Sequence, residues 1–459
     1  VKKLQYRAAF PVVLVLLGAA WPTMACSGTG ADGDTNPSTD AGTSGSVGAD
    51  ASGGDDGGGG GGGEGGSTSD GGASDGGPGS PDGGARTCGK TTAPTTCAVT
   101  SFSLGAAALH AALPAQSEEG LAAADMNCDG KADLVVGNYP SSPSASSSVG
   151  ILTSKGDGTF GPDTAAYPVE LTDFGEAVQV VSAGDLNGDG WPDVLTSANV
   201  IGSPPTVLLG GGDGTLGMAS AANVNVGGNF LTGIVDINGD GKADVLAQSA
   251  DGFSASLNGG AASFSGSVDY ALATGRPIGL AIGDFNGDKA PDVALTNGQG
   301  AVVVSLNNGH GTFGALTPIT LGVTSDLSWP LAAGDIDGDG VADLAAAEGS
   351  SLYIVLARGD GTFKTATTVP LTNDFQRAAS VVVADFNGDG RADVAVGDAQ
   401  SSLVLLFMAG SGGALGSAIP VNSGTGNSVM VAGDFLGTGV LGLATEDLDN
   451  VSVLLGSCQ

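Results

Sequence analysis

Beyond residue 100 the apolar positions fall in short runs. Val381-Val382-Val383, Val394-Ala395-Val396 and Leu403-Val404-Leu405-Leu406 are each bounded by Gly, Asp or Ser. Runs of that length, rich in β-branched and aliphatic residues and punctuated by turn formers, predict strands, and no stretch past residue 26 carries a helical period. Between the runs an acidic loop of nine residues recurs. It opens at Asp125, Asp185, Asp236, Asp284, Asp335 and Asp385, with a decayed copy at Asp434, at intervals of about 50 residues. A second landmark, Gly156-Asp157-Gly158-Thr159-Phe160, returns at Gly212 to Leu216, Gly309 to Phe313 and Gly359 to Phe363. Its Asp-Gly step supplies the positive φ of a tight hairpin. Each period therefore reads strand, acidic loop, strand, variable loop, strand, Gly-rich turn, strand. Four antiparallel strands per repeat predict an all-β chain folded as a seven-bladed β-propeller.

The last period stops after its third strand, Val451 to Leu455. Residues from Phe102 to His110 align with the fourth strands that begin at Phe160, Phe313 and Phe363, so an N-terminal strand is expected to complete the C-terminal blade and close the ring. The same alignment sets Cys97 and Cys458 at adjacent turn positions. A Cys97–Cys458 disulfide is expected there, leaving Cys88 with Cys128.

Charge and composition divide the chain. It has 48 acidic and 14 basic residues, a net charge of -34, which disfavours nucleic acid and anionic membrane surfaces. Residues 1–26 read as an export signal: Lys2, Lys3 and Arg7 precede an apolar stretch, Ala8 to Trp21, that is short for a bilayer span. Val1 in place of Met suggests an alternative start codon and an untrimmed signal. Ala25-Cys26 resembles a bacterial lipobox, which implies lipidation at Cys26 and an outer-membrane or cell-surface lipoprotein; the alternative is ordinary secretion. Residues 27–87 are Gly, Ser, Asp and Thr with almost no large apolar side chain, and are expected to be a disordered tether. The propeller is expected over 88–459.

The loops carry the chemistry. Positions one, three, five and nine are Asp125, Asn127, Asp129 and Asp133; Asp185, Asn187, Asp189 and Asp193; Asp236, Asn238, Asp240 and Asp244; Asp284, Asn286, Asp288 and Asp292; Asp335, Asp337, Asp339 and Asp343; and Asp385, Asn387, Asp389 and Asp393. Position seven, where the backbone carbonyl is the expected ligand, holds Lys131, Trp191, Lys242, Ala290, Val341 and Arg391. A hard cation that takes six to eight oxygens fits such a set, and packed carboxylates repel one another without one. Calcium is therefore the expected cofactor. Gly at position six permits the bend in five loops; Lys289 replaces it in the Asp284 loop, which is expected to resist the shape and bind more weakly. The Asp434 loop has Leu436, Thr438 and Gly442 at ligand positions and is expected to hold no metal.

These loops, in phrases such as Val-Ala-Asp385-Phe-Asn-Gly-Asp-Gly-Arg-Ala-Asp-Val-Ala-Val-Gly397, resemble FG-GAP repeats of the integrin α-subunit head in their bacterial VCBS-like form. The resemblance implies structural calcium on the lower rim, bracing blades. The opposite face would then be the binding face, where Tyr139, Phe174, Phe230, Arg276, Trp329, Phe375 and Arg377 are candidates for contact with a protein or glycan. The alternative role for these aromatics is to plug gaps between blades. An adhesion or binding module is the expected function, with a lectin-like propeller or a calcium-dependent polysaccharide lyase or hydrolase as alternatives. Neither His110 nor His310 sits in a nucleophile-base or metal pattern, so a monomeric, non-catalytic protein is expected.

Overall fold

The computed structural model describes residues 12–13, 102–105, 108–111, 118–138, 147–161, 167–169, 178–198, 205–218, 220–221, 232–321, 330–372, 375–424, 429–447 and 450–458. Most of the export signal, the tether 27–87, and Cys26, Cys88 and Cys97 lie outside them. Among the described residues the one helical element is a 3-10 turn, Ser411–Gly413. No described helix is long and apolar enough to cross a membrane.

The strands form seven antiparallel blades. From first to fourth strand, blade one is Glu118–Ala124, Asp133–Asn138, Ser148–Leu152 and Tyr167–Pro168; blade two is Val178–Gly184, Asp193–Ala198, Thr206–Leu208 and Ser220–Ala221. Blade three is Thr232–Val235, Asp244–Gln248, Gly252–Asn258 and Phe264–Ala271; blade four is Leu280–Gly283, Asp292–Thr296, Ala301–Ser305 and Thr317–Thr320. Blade five is Leu331–Gly334, Asp343–Glu348, Ser351–Val355 and Thr367–Pro370; blade six is Ala378–Ala384, Asp393–Asp398, Leu403–Phe407 and Ile419–Asn422. Blade seven takes Val429–Gly433, Gly442–Asp447 and Asn450–Leu454 from the C-terminus and Ala108–Ala111 from the N-terminal side, in the register Leu109 to Ser452 and His110 to Val451. Val12–Val13 adds a short parallel pairing with Val429 and Met430 at its inner edge.

First strands pack on first strands around the centre, and Val429–Gly433 against Glu118–Ala124 completes the circle. Small residues allow this approach: a Cβ on Gly233 would lie 2.1 Å from Ile282 Cδ1. The second strands are buried along both faces, as in Asp133–Asn138 and Asp393–Asp398, because each is covered by the blades on either side. The core therefore lies in the seams. One apolar cluster joins blades one and two through Val135, Val149, Val181 and Leu208, and another joins blades five and six through Ile354, Val381, Val394 and Phe407.

The expected closure is present, with a detail that alignment alone did not reveal. Phe102–Leu104 pairs with Gly456–Cys458, and Phe102 is buried with its ring 6.3 Å from that of Phe386 in the blade-six loop. Elsewhere in the ring the residue ending the Gly-rich turn makes the same contact with the preceding blade: Phe160 lies 5.9 Å from Phe435, and Phe363 lies 5.8 Å from Phe285. Phe102 thus supplies, from the other end of the chain, the plug that blade seven would otherwise lack.

Candidate metal centres and the opposite face

Every acidic loop joins a first strand to a second, and local hydrogen bonds set its shape. The position-one carboxylate accepts the amide of residue six: Asp125 from Gly130 at 2.9 Å, Asp236 from Gly241 at 2.8 Å, Asp385 from Gly390 at 2.8 Å. The position-five carboxylate accepts the amide of residue seven, as Asp189 does from Trp191 at 2.9 Å and Asp339 from Val341 at 3.0 Å. These are Asx-type turns, built from side chains that mimic a backbone acceptor. Lys289 does not break the pattern. It adopts φ 71° and donates its amide to Asp284 at 2.8 Å, as glycine does in the sister loops. The backbone takes the shape with lysine in place and carries there the strain of a left-handed non-glycine residue.

Position two is an apolar anchor that sequence reading passed over. Met126, Leu186, Ile237, Phe285, Ile336, Phe386 and Phe435 are all buried beneath their loops. Position nine is fully buried in six loops and works as a clamp. In blade one Asp133 accepts Met126 N–H at 3.0 Å with one oxygen and Ser154 N–H at 2.8 Å with the other. In blade six Asp393 does the same with Phe386 at 3.2 Å and Ala409 at 2.7 Å. The clamp ties the start of each loop to the end of the third strand. Burial pushes Asp133, Asp292, Asp343 and Asp393 up to about 7, with the other carboxylates of the loop adding to the rise. Burial likewise raises Asp193 and Asp244 to about 6.

The loops also hold one another. Ala342 N–H donates to the Asp284 carbonyl at 2.8 Å and Ala392 N–H to the Asp335 carbonyl at 2.7 Å, while Ala132 of blade one reaches Asp434 of blade seven at 2.9 Å. Asn258 and Asn307, each placed just before its turn, donate side-chain N–H groups to the Leu186 and Ile237 carbonyls of the preceding loop. Neighbouring loops of the acidic face are thus tied to one another across most of the blade seams.

In three loops a position-seven cation pairs with the loop's own carboxylate. Lys131, Lys242 and Arg391, at position seven, fold back onto Asp129, Asp240 and Asp389 at 2.8, 2.9 and 2.5 Å. The blade-five loop differs: Asp335, Asp337 and Asp343 bring one oxygen each within 4.8 Å of one another, the one such cluster of acidic, His or Cys groups among the described residues. Cys128, at the left-handed fourth position where the other loops have glycine, is disulfide-bonded, as is Cys458. Their expected partners, Cys88 and Cys97, are outside the described residues.

The FG-GAP-like repeat family matches residues 125–196, 236–295, 284–346 and 335–396, about half of the chain. The chain belongs to this family. No curated protein sequence matches this FG-GAP protein. Its fold is similar to that of an Agrocybe aegerita lectin whose structure concerns recognition of non-reducing terminal N-acetylglucosamine, at 19% identity and TM-score 0.50, over 72% of this chain and 86% of that one. It is also similar to the BP39L lectin of Burkholderia pseudomallei, at 17% identity and TM-score 0.51 over 66% and 84% of the two chains. A third likeness, at 11% identity and TM-score 0.50 over 74% and 91%, is to BBS1N in complex with ARL6DN. At these identities the likeness is one of fold.

On the face opposite the FG-GAP loops, Arg276 and Arg377 are exposed, and the Arg377 amide is tied to Asp398 at 3.1 Å. Phe375 is buried at 3% exposure in the blade five to six cluster, so its ring fills the seam and is not offered to a ligand. Tyr139, Phe174, Phe230 and Trp329 lie outside the described residues. His310 sits exposed in its turn, and His110 is in the closing strand.

Proposed function

We propose that this protein is an exported, surface-anchored binding module in which calcium braces the acidic-loop face and a protein or glycan ligand is taken on the opposite face. The observation that carries the reading is the clasped ring of loops. Six of its loops hold three or four carboxylates each over blade seams, and burial shifts their position-nine acids toward neutrality, with the neighbouring carboxylates adding to the rise. The donor set fits calcium: side-chain oxygens at positions one, three, five and nine with the position-seven carbonyl would hold it, and the bound ion would supply charge balance and join loop to blade. Phe375 being buried leaves Arg276 and Arg377 as the described candidates on the opposite face. Two of the fold neighbours being lectins favours a glycan over a polysaccharide-cleaving activity as the finer alternative.

Ions that bind only the folded state stabilise it, each by about 2.7 kcal/mol at a hundredfold excess over its dissociation constant. Chelation should therefore lower the melting temperature of the full chain by roughly 10 °C or more, and added calcium should restore it. An unchanged transition together with no calorimetric calcium binding would remove the calcium reading. Arrays of glycans and matrix proteins, probed with the calcium-loaded ring and an Arg276→Ala, Arg377→Ala variant, test the binding face. Turnover of a uronate polysaccharide would replace the binding module with an enzyme.

A further inference from the structure

The six acidic loops share a common set of hydrogen bonds, and blade five departs from it at position three. In five of them position three is Asn, and its Oδ1 accepts the amide of residue five: Asn127 from Asp129 at 3.1 Å, Asn187 from Asp189 at 2.7 Å, Asn238 from Asp240 at 2.9 Å, Asn286 from Asp288 at 2.8 Å and Asn387 from Asp389 at 2.9 Å. In blade five position three is Asp337, and the amide of Asp339 keeps the bond to position one, Asp335 Oδ1 at 3.0 Å, that Asp129, Asp240 and Asp389 also make, without the second bond to position three. Asp337 Oδ1 is buried and has no hydrogen-bond partner. Its carboxylate is held from the other side, where Lys364, just ahead of the outer strand Thr367–Pro370, donates to Oδ2 at 3.1 Å, and the Asp337 side chain is only 6% exposed. A buried carboxylate oxygen without a donor is costly unless something positive takes it. The Asp337 carboxylate belongs to the cluster with Asp335 and Asp343, in which one oxygen of each residue lies within 4.8 Å of the others.

We infer that the blade-five loop is a cation site distinct from the other five, which fills first because its position-three oxygen is bare and its carboxylate count is one higher. The inference rests on the calcium reading above and adds an order to it. In the sister loops a cation must share the position-three oxygen with a backbone amide; in blade five it meets an oxygen already released. Lys364 is a positioning residue, engaging Oδ2 and leaving the buried Oδ1 without a donor. The position-seven residue, Val341, brings no ammonium or guanidinium, unlike Lys131, Lys242 and Arg391, and the one cation paired with this loop, Lys364, engages Oδ2 from outside it.

Hydrogen-deuterium exchange on the full wild-type chain, titrated with calcium from below one equivalent, is the test. Protection is expected first in peptides covering 335–343, with the other loops following at concentrations about tenfold higher or more. Calorimetry of Asp337→Asn, which installs the residue that five sister loops tolerate, should lose one tight equivalent and keep the rest. Protection that rises evenly across the loops, or first in another loop, overturns the inference while leaving calcium binding in place, as does an unchanged Asp337→Asn isotherm. No protection anywhere at saturating calcium overturns both.

Discussion

In blades one to six a buried carboxylate joins the acidic loop to the end of the third strand; in blade seven the same position is Gly442, and the joint is made by chain pairing instead. A Cβ on Gly442 would lie 2.6 Å from the Leu454 carbonyl, so the backbone has closed into the space a carboxylate occupies elsewhere. The loop shape survives this loss. Asp434 still accepts the amides of Thr438 at 3.0 Å and Gly439 at 2.6 Å, and Phe435 is still buried at position two. Shape therefore resides in position one, the glycines and the apolar anchor, while the charge that blade seven lacks resides in positions five and nine. The two were separable, and the blade that gave up its charge is the one fastened by Phe102–Leu104 against Gly456–Cys458.

If that fastening substitutes for the clamp, removing its plug should cost more than any single surface change in the ring. Phe102→Ala deletes a buried ring packed on Phe386, a class of substitution that costs about 4 kcal/mol. Urea unfolding of the variant is expected to show that loss, with Phe160→Ala in blade one as the matched comparison. A loss under about 1 kcal/mol at Phe102 alone would mean that closure is carried elsewhere.

The clamps make the complementary prediction, and its sign follows from their titration. Asp133, Asp292, Asp343 and Asp393 stand near 7 and Asp193 and Asp244 near 6 in the folded chain, against 3.8 when exposed. The folded state thus keeps protons that the unfolded state has released. That contribution is complete below about pH 4 and is lost as the pH rises through 6 to 7. In chelator the melting temperature should fall by several degrees between pH 5 and pH 8; in excess calcium, which favours the ionised carboxylates, the fall should be abolished. A metal-free protein whose stability is flat across that range would contradict the charge-strained picture of blades one to six.

Fold and loops were legible in the sequence because both are written locally. Strand runs, Asp-Gly turns and a period of about 50 residues are properties of neighbouring positions, and the register of Ala108–Ala111 on Asn450–Leu454 follows from counting where the last period stops. What was not legible depends on contacts between blades. Phe375 sits in an inter-blade connection with polar neighbours, yet it is buried because the hydrophobic seam between blades five and six reaches out to it. Asn258 and Asn307 look like ordinary turn residues until the preceding loop is placed beside them. Lys364 reaches Asp337 from 27 residues away, a pairing no local motif encodes. Gly259 to Ser263 and Gly410 to Ala414 close the same turn as the Asp-Gly repeats without their wording, so only the backbone reveals that all these blades turn alike.

Blade four stands between the two extremes, with every ligand of blades one to six but one glycine lost. Lys289 holds φ 71° in the place of a left-handed glycine, and all loop hydrogen bonds are intact. Strain without lost bonds predicts that Lys289→Gly will stabilise the metal-free chain by about 1 kcal/mol, the left-handed penalty less the entropy that glycine adds to the unfolded state. The ammonium contributes separately, since its charge opposes a cation at Asp284, Asn286 and Asp288. The two effects part cleanly: Lys289→Gly measured by urea unfolding in chelator reads the backbone alone, whereas Lys289→Gln, still left-handed but uncharged, reads the charge through calcium affinity. Gain in chelator for glutamine equal to that for glycine would show that charge rather than φ governs the loop, and the separation of shape from charge drawn from blade seven would then fail in blade four.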